Sequence, residues 1–355
     1  MDISRKKTSF PIPSELFAYL KYYQRLSALP LAYEDLLEYH TGIPVLDKKG
    51  RDTLWQTVIY PPHLDDEIRR SLVEIYALLK TDGDRSFIGH LRISHIDHCL
   101  FGNSNPFRVR VVNMVNDNHD YYYIKRADAS RICGLELEHI LSPNRMNYLV
   151  HGHTLIEEHI AGIPGDVFLQ FHMDRPGFSR IRMAKEFVKF NQRCFAMLLG
   201  DMRAYNYVID VTPDFDMEQY RVRAIDFDQL SYEGRKNHYL PQFYKENFKV
   251  VQFCMENLTP ETVNQYETEE RTLIKKRYEL AKNRLDKMLD VMGLYPFSTQ
   301  EKIDSLCHDL NIYHQTQAFH GFDSMGKVLR LHLKYITERT EHRKYFGKTA
   351  YKREA

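Results

Sequence analysis

The sequence predicts an α+β protein, and three observations carry that prediction. Between about Phe87 and Ile160 the apolar residues fall in short runs rich in β-branched and aromatic side chains, as at 108–114 and 121–124. From Met183 onward they recur at helical spacing, first as Met183, Phe187, Phe190, Cys194 and Leu198. No internal repeat or low-complexity linker divides the 355 residues, a length that suits one large two-part domain or two ordinary ones.

With 43% hydrophobic residues the chain can bury a sizeable core, and a formal net charge of +1 selects no strongly charged partner. No stretch of about 18 apolar residues is present, and the opening Met1 to Lys7 is not followed by an apolar segment. A cytoplasmic protein without a membrane partner is expected, and no nucleic-acid partner. Cys99, Cys133, Cys194, Cys254 and Cys307 lack paired spacing, which fits reduced thiols. The histidine pairs His95/His98 and His151/His153 lack the further ligands of a closed metal site.

In chain order, residues 1–83 read as a mostly helical N-terminal extension. Pro13 and Ser14 open a helix through Leu16, Leu20 and Tyr23. After Pro61-Pro62-His63, the spacing of Leu64, Ile68, Leu72, Ile75 and Leu79 predicts a second helix, which Thr81-Asp82-Gly83 ends. Next comes a hairpin, its two strands at 108–114 and 121–124 joined by the turn-prone Asn116-Asp117-Asn118. A helix is expected over 127–141, strands over 146–150 and 154–160, and a long helix ending near Leu198. Further on, Thr259-Pro260 starts a helix. Ile274, Tyr278, Ala281, Leu285, Met288 and Met292 mark one long helix closed by Gly293 and Pro296, and Ser298 with Glu301 forms a capping box. Residues 341–355 form a basic tail.

The chemistry concentrates between Leu199 and Gln229. Leu199-Gly200-Asp201 follows an apolar helix end, Asn206 comes five residues after Asp201, and Ile225-Asp226-Phe227-Asp228 leaves a second short β-rich run. Phosphoryl transfer asks for a carboxylate that accepts the proton of an attacking hydroxyl. It also asks for an amide oxygen and a second carboxylate that hold Mg²⁺ on nucleotide phosphates.

This Gly-Asp-(four residues)-Asn segment followed by Ile-Asp-Phe-Asp resembles the catalytic loop and metal-binding motif of the protein-kinase-like superfamily. It is closest in style to the atypical and small-molecule branch, such as aminoglycoside and choline kinases. Leu199 stands in place of the His of His-Arg-Asp, Asp228 replaces the Gly of Asp-Phe-Gly, and no Ala-Pro-Glu follows. The resemblance implies a two-lobed fold, with a small β-rich N-lobe and hinge over 84–162 and a helical C-lobe over 163–340. It implies Asp201 as catalytic base, Asn206 and Asp226 as metal ligands, and Lys125 as the ammonium that orients the α- and β-phosphates. A helix after that lysine would supply its partner, with Glu138 preferred over Glu136. Gly102 and Ser104 stand where a phosphate-covering loop would lie, and Glu158 and Ile160 where a hinge would meet adenine.

The expected function is therefore an ATP- and Mg²⁺-dependent kinase acting on a hydroxyl of a small molecule or protein. A pseudokinase-like scaffold and a kinase-fold AMP transferase are the alternatives. The aromatic and basic stretch 232–247 is open to two readings, an acceptor-contacting loop or a packed irregular segment.

Overall fold

The computed structural model describes residues 7–338 apart from 48, 82–85, 102, 103 and 216. The chain divides into two compact units: everything up to Ile132 together with Met146–His159, and Cys133–Arg145 together with everything from Ile160.

The first unit opens with α1 (Ser14–Tyr22), β1 (Thr41–Leu46), β2 (Asp52–Ile59) and α2 (Pro62–Thr81). It continues with β3 (Leu91–Cys99), β4 (Phe107–Asn113) and β5 (His119–Arg126), then the start of α3 (Ala129–Leu141), β6 (Tyr148–His151) and β7 (Thr154–Glu158). Seven strands form one antiparallel sheet in the order β1-β2-β3-β4-β5-β7-β6. On one sheet face, alternation places Val109, Val111, Tyr122, Ile124 and Ile156 in a core with Ile68, Leu72, Ile75 and Leu79 of α2. The Tyr122 hydroxyl, at the centre of that core, donates to the carbonyl of Leu72 at 2.8 Å, so the ring is buried with its polar end satisfied.

Two sequence expectations change here. Residues 1–83 are not a mostly helical extension, because β1 and β2 pair with each other and β2 pairs with β3. Thr41, Ile43, Val45, Thr53, Thr57, Val58 and Ile59 give this stretch the β-branched content of a hairpin, and it extends the sheet. The expected N-lobe of 84–162 is divided differently as well, since Cys133–Arg145 belongs to the second unit. The hairpin expected from 108 to 124 is present as β4 and β5, with Phe107 opposite Ile124 and Val112 opposite His119.

In the second unit lie β8 (Ile163–Pro164), α4 (Gly165–Phe171), α5 (Arg180–Met197), β9 (Tyr207–Asp214) and β10 (Met217–Ala224). They are followed by α6 (Phe248–Asn257), α7 (Pro260–Leu280), α8 (Lys282–Leu294), α9 (Gln300–His314) and α10 (Met325–Glu338). The central helix is α5, whose Met183, Ala184, Phe187, Phe190 and Cys194 are buried and which packs against α6, α7, α10 and β10. The single long helix expected across 274–292 is two helices, α7 and α8. The chain leaves helical geometry at Ala281 (φ −109°, ψ 22°), which redirects α8 onto α10. The cap of α9 is Thr299, whose side chain accepts from the amide of Lys302, while the Ser298 hydroxyl donates to the Tyr232 carbonyl. All five cysteines are free and buried, and among the described residues no helix is long and apolar enough to cross a membrane.

Candidate active site

The candidate site in the second unit begins where α5 stops. Leu198 takes a left-handed conformation (φ 51°), a common helix terminator, and Leu199 bridges to Leu230. Gly200 then passes so close to the turn at Asp228-Gln229 that a Cβ on it would lie 3.0 Å from the Gln229 carbonyl oxygen. Its amide donates to that same oxygen at 3.1 Å. This contact ties the first half of the motif to the second.

Asp201 is also left-handed (φ 57°), a conformation rare outside glycine that costs free energy and tends to persist at functional sites. Several bonds hold it. The Asp201 amide donates to the Tyr244 hydroxyl at 2.9 Å, and the Asn206 side-chain amide donates to the Asp201 carbonyl at 2.7 Å. Arg203 Nε donates to Asp201 Oδ1 at 2.7 Å, and Arg203 Nη1 reaches Glu246 at 2.9 Å. Burial pushes the Asp201 carboxyl above its ordinary range, with Glu246 adding to the rise and Arg203 opposing it. A raised value favours a proton acceptor near neutral pH. The Asp201 side chain is 22% exposed, so it is reachable by an acceptor molecule.

The β9–β10 hairpin completes the arrangement. Tyr207 pairs with Ala224, so Asn206 and Ile225 continue the register at the hairpin's open end, and the Ile225 amide donates to the Asn206 carbonyl at 3.0 Å. Asp226 comes next, and its Oδ1 accepts from the Asp228 amide at 3.1 Å. Phe227 is buried against Gly134 of α3, where a Cβ would lie 2.9 Å from that of Phe227. Asp201, Asn206 and Asp226 are thereby gathered on adjoining turns.

The donor set suits a hard cation. Because the Asn206 nitrogen is committed to the Asp201 carbonyl, the amide oxygen is the atom left to ligate, and Asp226 adds a carboxylate. Mg²⁺ held on nucleotide phosphates takes one or two protein oxygens and completes its shell with phosphate and water. Among the described residues no group of three His, Cys, Asp or Glu is placed to hold a metal ion.

In the first unit, Lys125 is buried and meets Glu157 of β7, with Nζ 2.8 Å from Oε2. Arg131 binds the same carboxylate through Nε and through Nη2, the latter at 2.8 Å. Burial alone would raise Glu157, yet the two cations hold it down to about 2. The expected helix partner is therefore corrected. Glu138 accepts instead from the Asn144 side chain at 2.8 Å, and Glu136 pairs with Arg284. The reason is register: Glu157 lies opposite Tyr123, which makes it the diagonal neighbour of Lys125 on one sheet face.

Gly102 lies outside the described residues, and Ser104 is half-buried in the bend between β3 and β4. Glu158 directs its carboxylate to Lys80 and to the Asn147 amide, and its own amide donates to the Asn147 carbonyl at 3.1 Å. That amide is committed within the sheet, so it does not present a donor to adenine. Ile160 is buried, only 7% exposed. In the stretch 232–247, Tyr239 and Asn247 are buried, and Asn247 Nδ2 donates to the Met202 and Pro241 carbonyls at 2.8 Å. The stretch packs on the loop that carries Asp201 and holds it. The residues that sequence reasoning did not assign a role are Glu157, Arg131, Arg203 and Glu246.

No protein-family model matches the chain, and no curated protein matches it significantly.

Proposed function

We propose that this chain is a phosphotransferase that uses Mg²⁺·ATP to phosphorylate a hydroxyl acceptor. The observation that carries the reading is the junction of Asp201, Asn206 and Asp226 at the open end of the β9–β10 hairpin, with the Asn206 nitrogen locked to the Asp201 carbonyl. In this reading the acceptor oxygen forms a bond to the γ-phosphorus and the bond from that phosphorus to the β,γ-bridging oxygen breaks. ADP leaves, and the hydroxyl proton passes to the Asp201 carboxylate. Asn206 Oδ1 and the Asp226 carboxylate would hold Mg²⁺, which when bound would offset charge on the triphosphate. Arg203 keeps the Asp201 carboxylate turned to one side through Nε. Lys125, paired with Glu157, is assigned the contact to the α- and β-phosphates, a role that rests on the resemblance of its strand to that of kinases.

The test is incubation with ATP, Mg²⁺ and a panel of hydroxyl compounds, read by ADP release and by intact mass of the protein and the products. A gain of one phosphate on an acceptor, lost in Asp201→Asn, supports the reading. A gain of AMP would assign the chain to nucleotidyl transfer instead, and ATP binding without any product would assign it to a scaffold role.

A further inference from the structure

Away from the candidate active site, α5, α6 and α7 line a partly open pocket of about 170 Å³. Its wall is mainly apolar, from Phe187 and Val188 on α5, Val251 on α6, Leu258 just past the end of α6, and Val263 on α7. Three polar residues line it as well, the half-buried Gln242 and the more deeply buried Asn191 and Glu267. Asn191 is 7% exposed and Glu267 5% exposed, so each is more than nine-tenths buried. Asn191 Oδ1 accepts from the Gln242 amide at 3.2 Å, and its Nδ2 donates to nothing among the described residues. Glu267 Oε2 accepts from Arg271 at 3.1 Å, and Oε1 has no hydrogen bond among the described residues. Each of these two groups lines the pocket without a hydrogen-bond partner among the described residues, and beside an apolar wall they mark where a ligand's polar head would sit.

We propose that this cavity binds a small neutral apolar molecule, about one aromatic ring in size, that carries a head with both a hydrogen-bond donor and an acceptor, such as a primary amide. Size and polarity each constrain the class. Dry cavities of roughly 150 Å³ accommodate benzene, so a ring with one substituent fits here. An anion is disfavoured because Glu267 faces it, and a purely apolar molecule leaves the Asn191 donor and the Glu267 acceptor unmet. Burial also pushes the Glu267 carboxyl up against the pull of Arg271, as befits a carboxyl lacking solvent.

The test titrates the full chain with benzamide and, separately, with toluene, followed through the methyl signals of Val251, Met255 and Leu258, which line the cavity. Saturable benzamide binding is expected at millimolar concentration or better, with toluene about tenfold weaker because it satisfies neither polar group. Val263→Trp, which fills the cavity from a half-exposed helical position, should abolish binding with the melting temperature kept. Val251→Trp serves the same purpose if the first variant does not fold. The proposal is overturned by no saturable binding to the wild type, by toluene binding as tightly as benzamide, or by benzamide binding that a folded filling variant leaves unchanged.

Discussion

Replacing Glu157 by Gln separates the charge of the first unit's buried cluster from its shape. Lys125 and Arg131 have side chains 9% and 2% exposed, and Glu157 is the carboxylate that both meet. The fall of the Glu157 carboxyl from an ordinary 4.5 to about 2 sets the scale. At 1.36 kcal/mol per pH unit it corresponds to roughly 3 kcal/mol of folded-state stabilisation. Because the folded value is depressed, this contribution is present above about pH 4.5 and is lost as the pH falls toward 2. Glu157→Gln should therefore cost about 3 kcal/mol at neutral pH, within the usual range for leaving buried cations uncompensated. The difference between variant and wild type should shrink below about pH 4. Urea unfolding followed by fluorescence is well placed to read it, since the only tryptophan, Trp55, lies on β2 of the same unit with Arg108 4.7 Å over its ring. A variant within 1 kcal/mol of wild type at pH 7, or a difference that does not change with acid, would refute the claim that the carboxylate's charge holds this cluster together.

Other outcomes follow from the proposed function and from the loop that carries Asp201. Asp226→Asn should weaken Mg²⁺-dependent ATP binding about tenfold or more, measured by calorimetry with and without the metal, because one anionic ligand is removed. Unchanged metal dependence would take Asp226 out of the site. Lys125→Met should keep the fold, since Arg131 still neutralises Glu157, while turnover drops by about 10²-fold through misplaced phosphates. Wild-type rates would end that assignment. Arg203→Gln removes the cation that opposes the raised Asp201 value, so the acid limb of the rate-against-pH curve should move to higher pH. A limb that stays put would mean the Arg203 pair does not tune the base. Gly200→Ala should cost about 1–3 kcal/mol by forcing a Cβ toward the Gln229 and His238 carbonyls at 3.0 and 3.4 Å, and thermal melting checks it.

What could be read in advance was local. The β4–β5 hairpin, α2 and α5 follow from residue spacing that reports directly on which face is buried, and the Asp201–Asn206–Asp226 order lies within one short span. What could not be read depends on pairings far apart in sequence. The partner of Lys125 is decided by how β5 aligns with β7, a register that no spacing within the helix after it reveals. Arg203 and Tyr244 meet Asp201 only because the stretch 232–247 folds back over the loop and presents Glu246 and the Tyr244 hydroxyl from 43 residues away. The strands β1 and β2 were hidden between two clear helical patterns. Their half-exposed alternation is weaker than the periodicity of α1 and α2, and their partner β3 lies 40 residues beyond Thr57. The α7–α8 break is likewise tertiary in origin, because the apolar stripe continues through Ala281 while the backbone does not.

The most direct measurement is phosphate transfer by wild type and Asp201→Asn on one preparation, alongside ATP affinity and melting temperature. With an acceptor identified by ADP release, the wild type should yield a product heavier by one phosphate. The variant should lose about 10²–10⁴-fold in kcat with affinity and melting temperature little altered, as expected for a group that acts in the transition state. Equal turnover in the two proteins, or a folded wild type that binds ATP and transfers nothing to any hydroxyl, would contradict the account of Asp201 as the catalytic base.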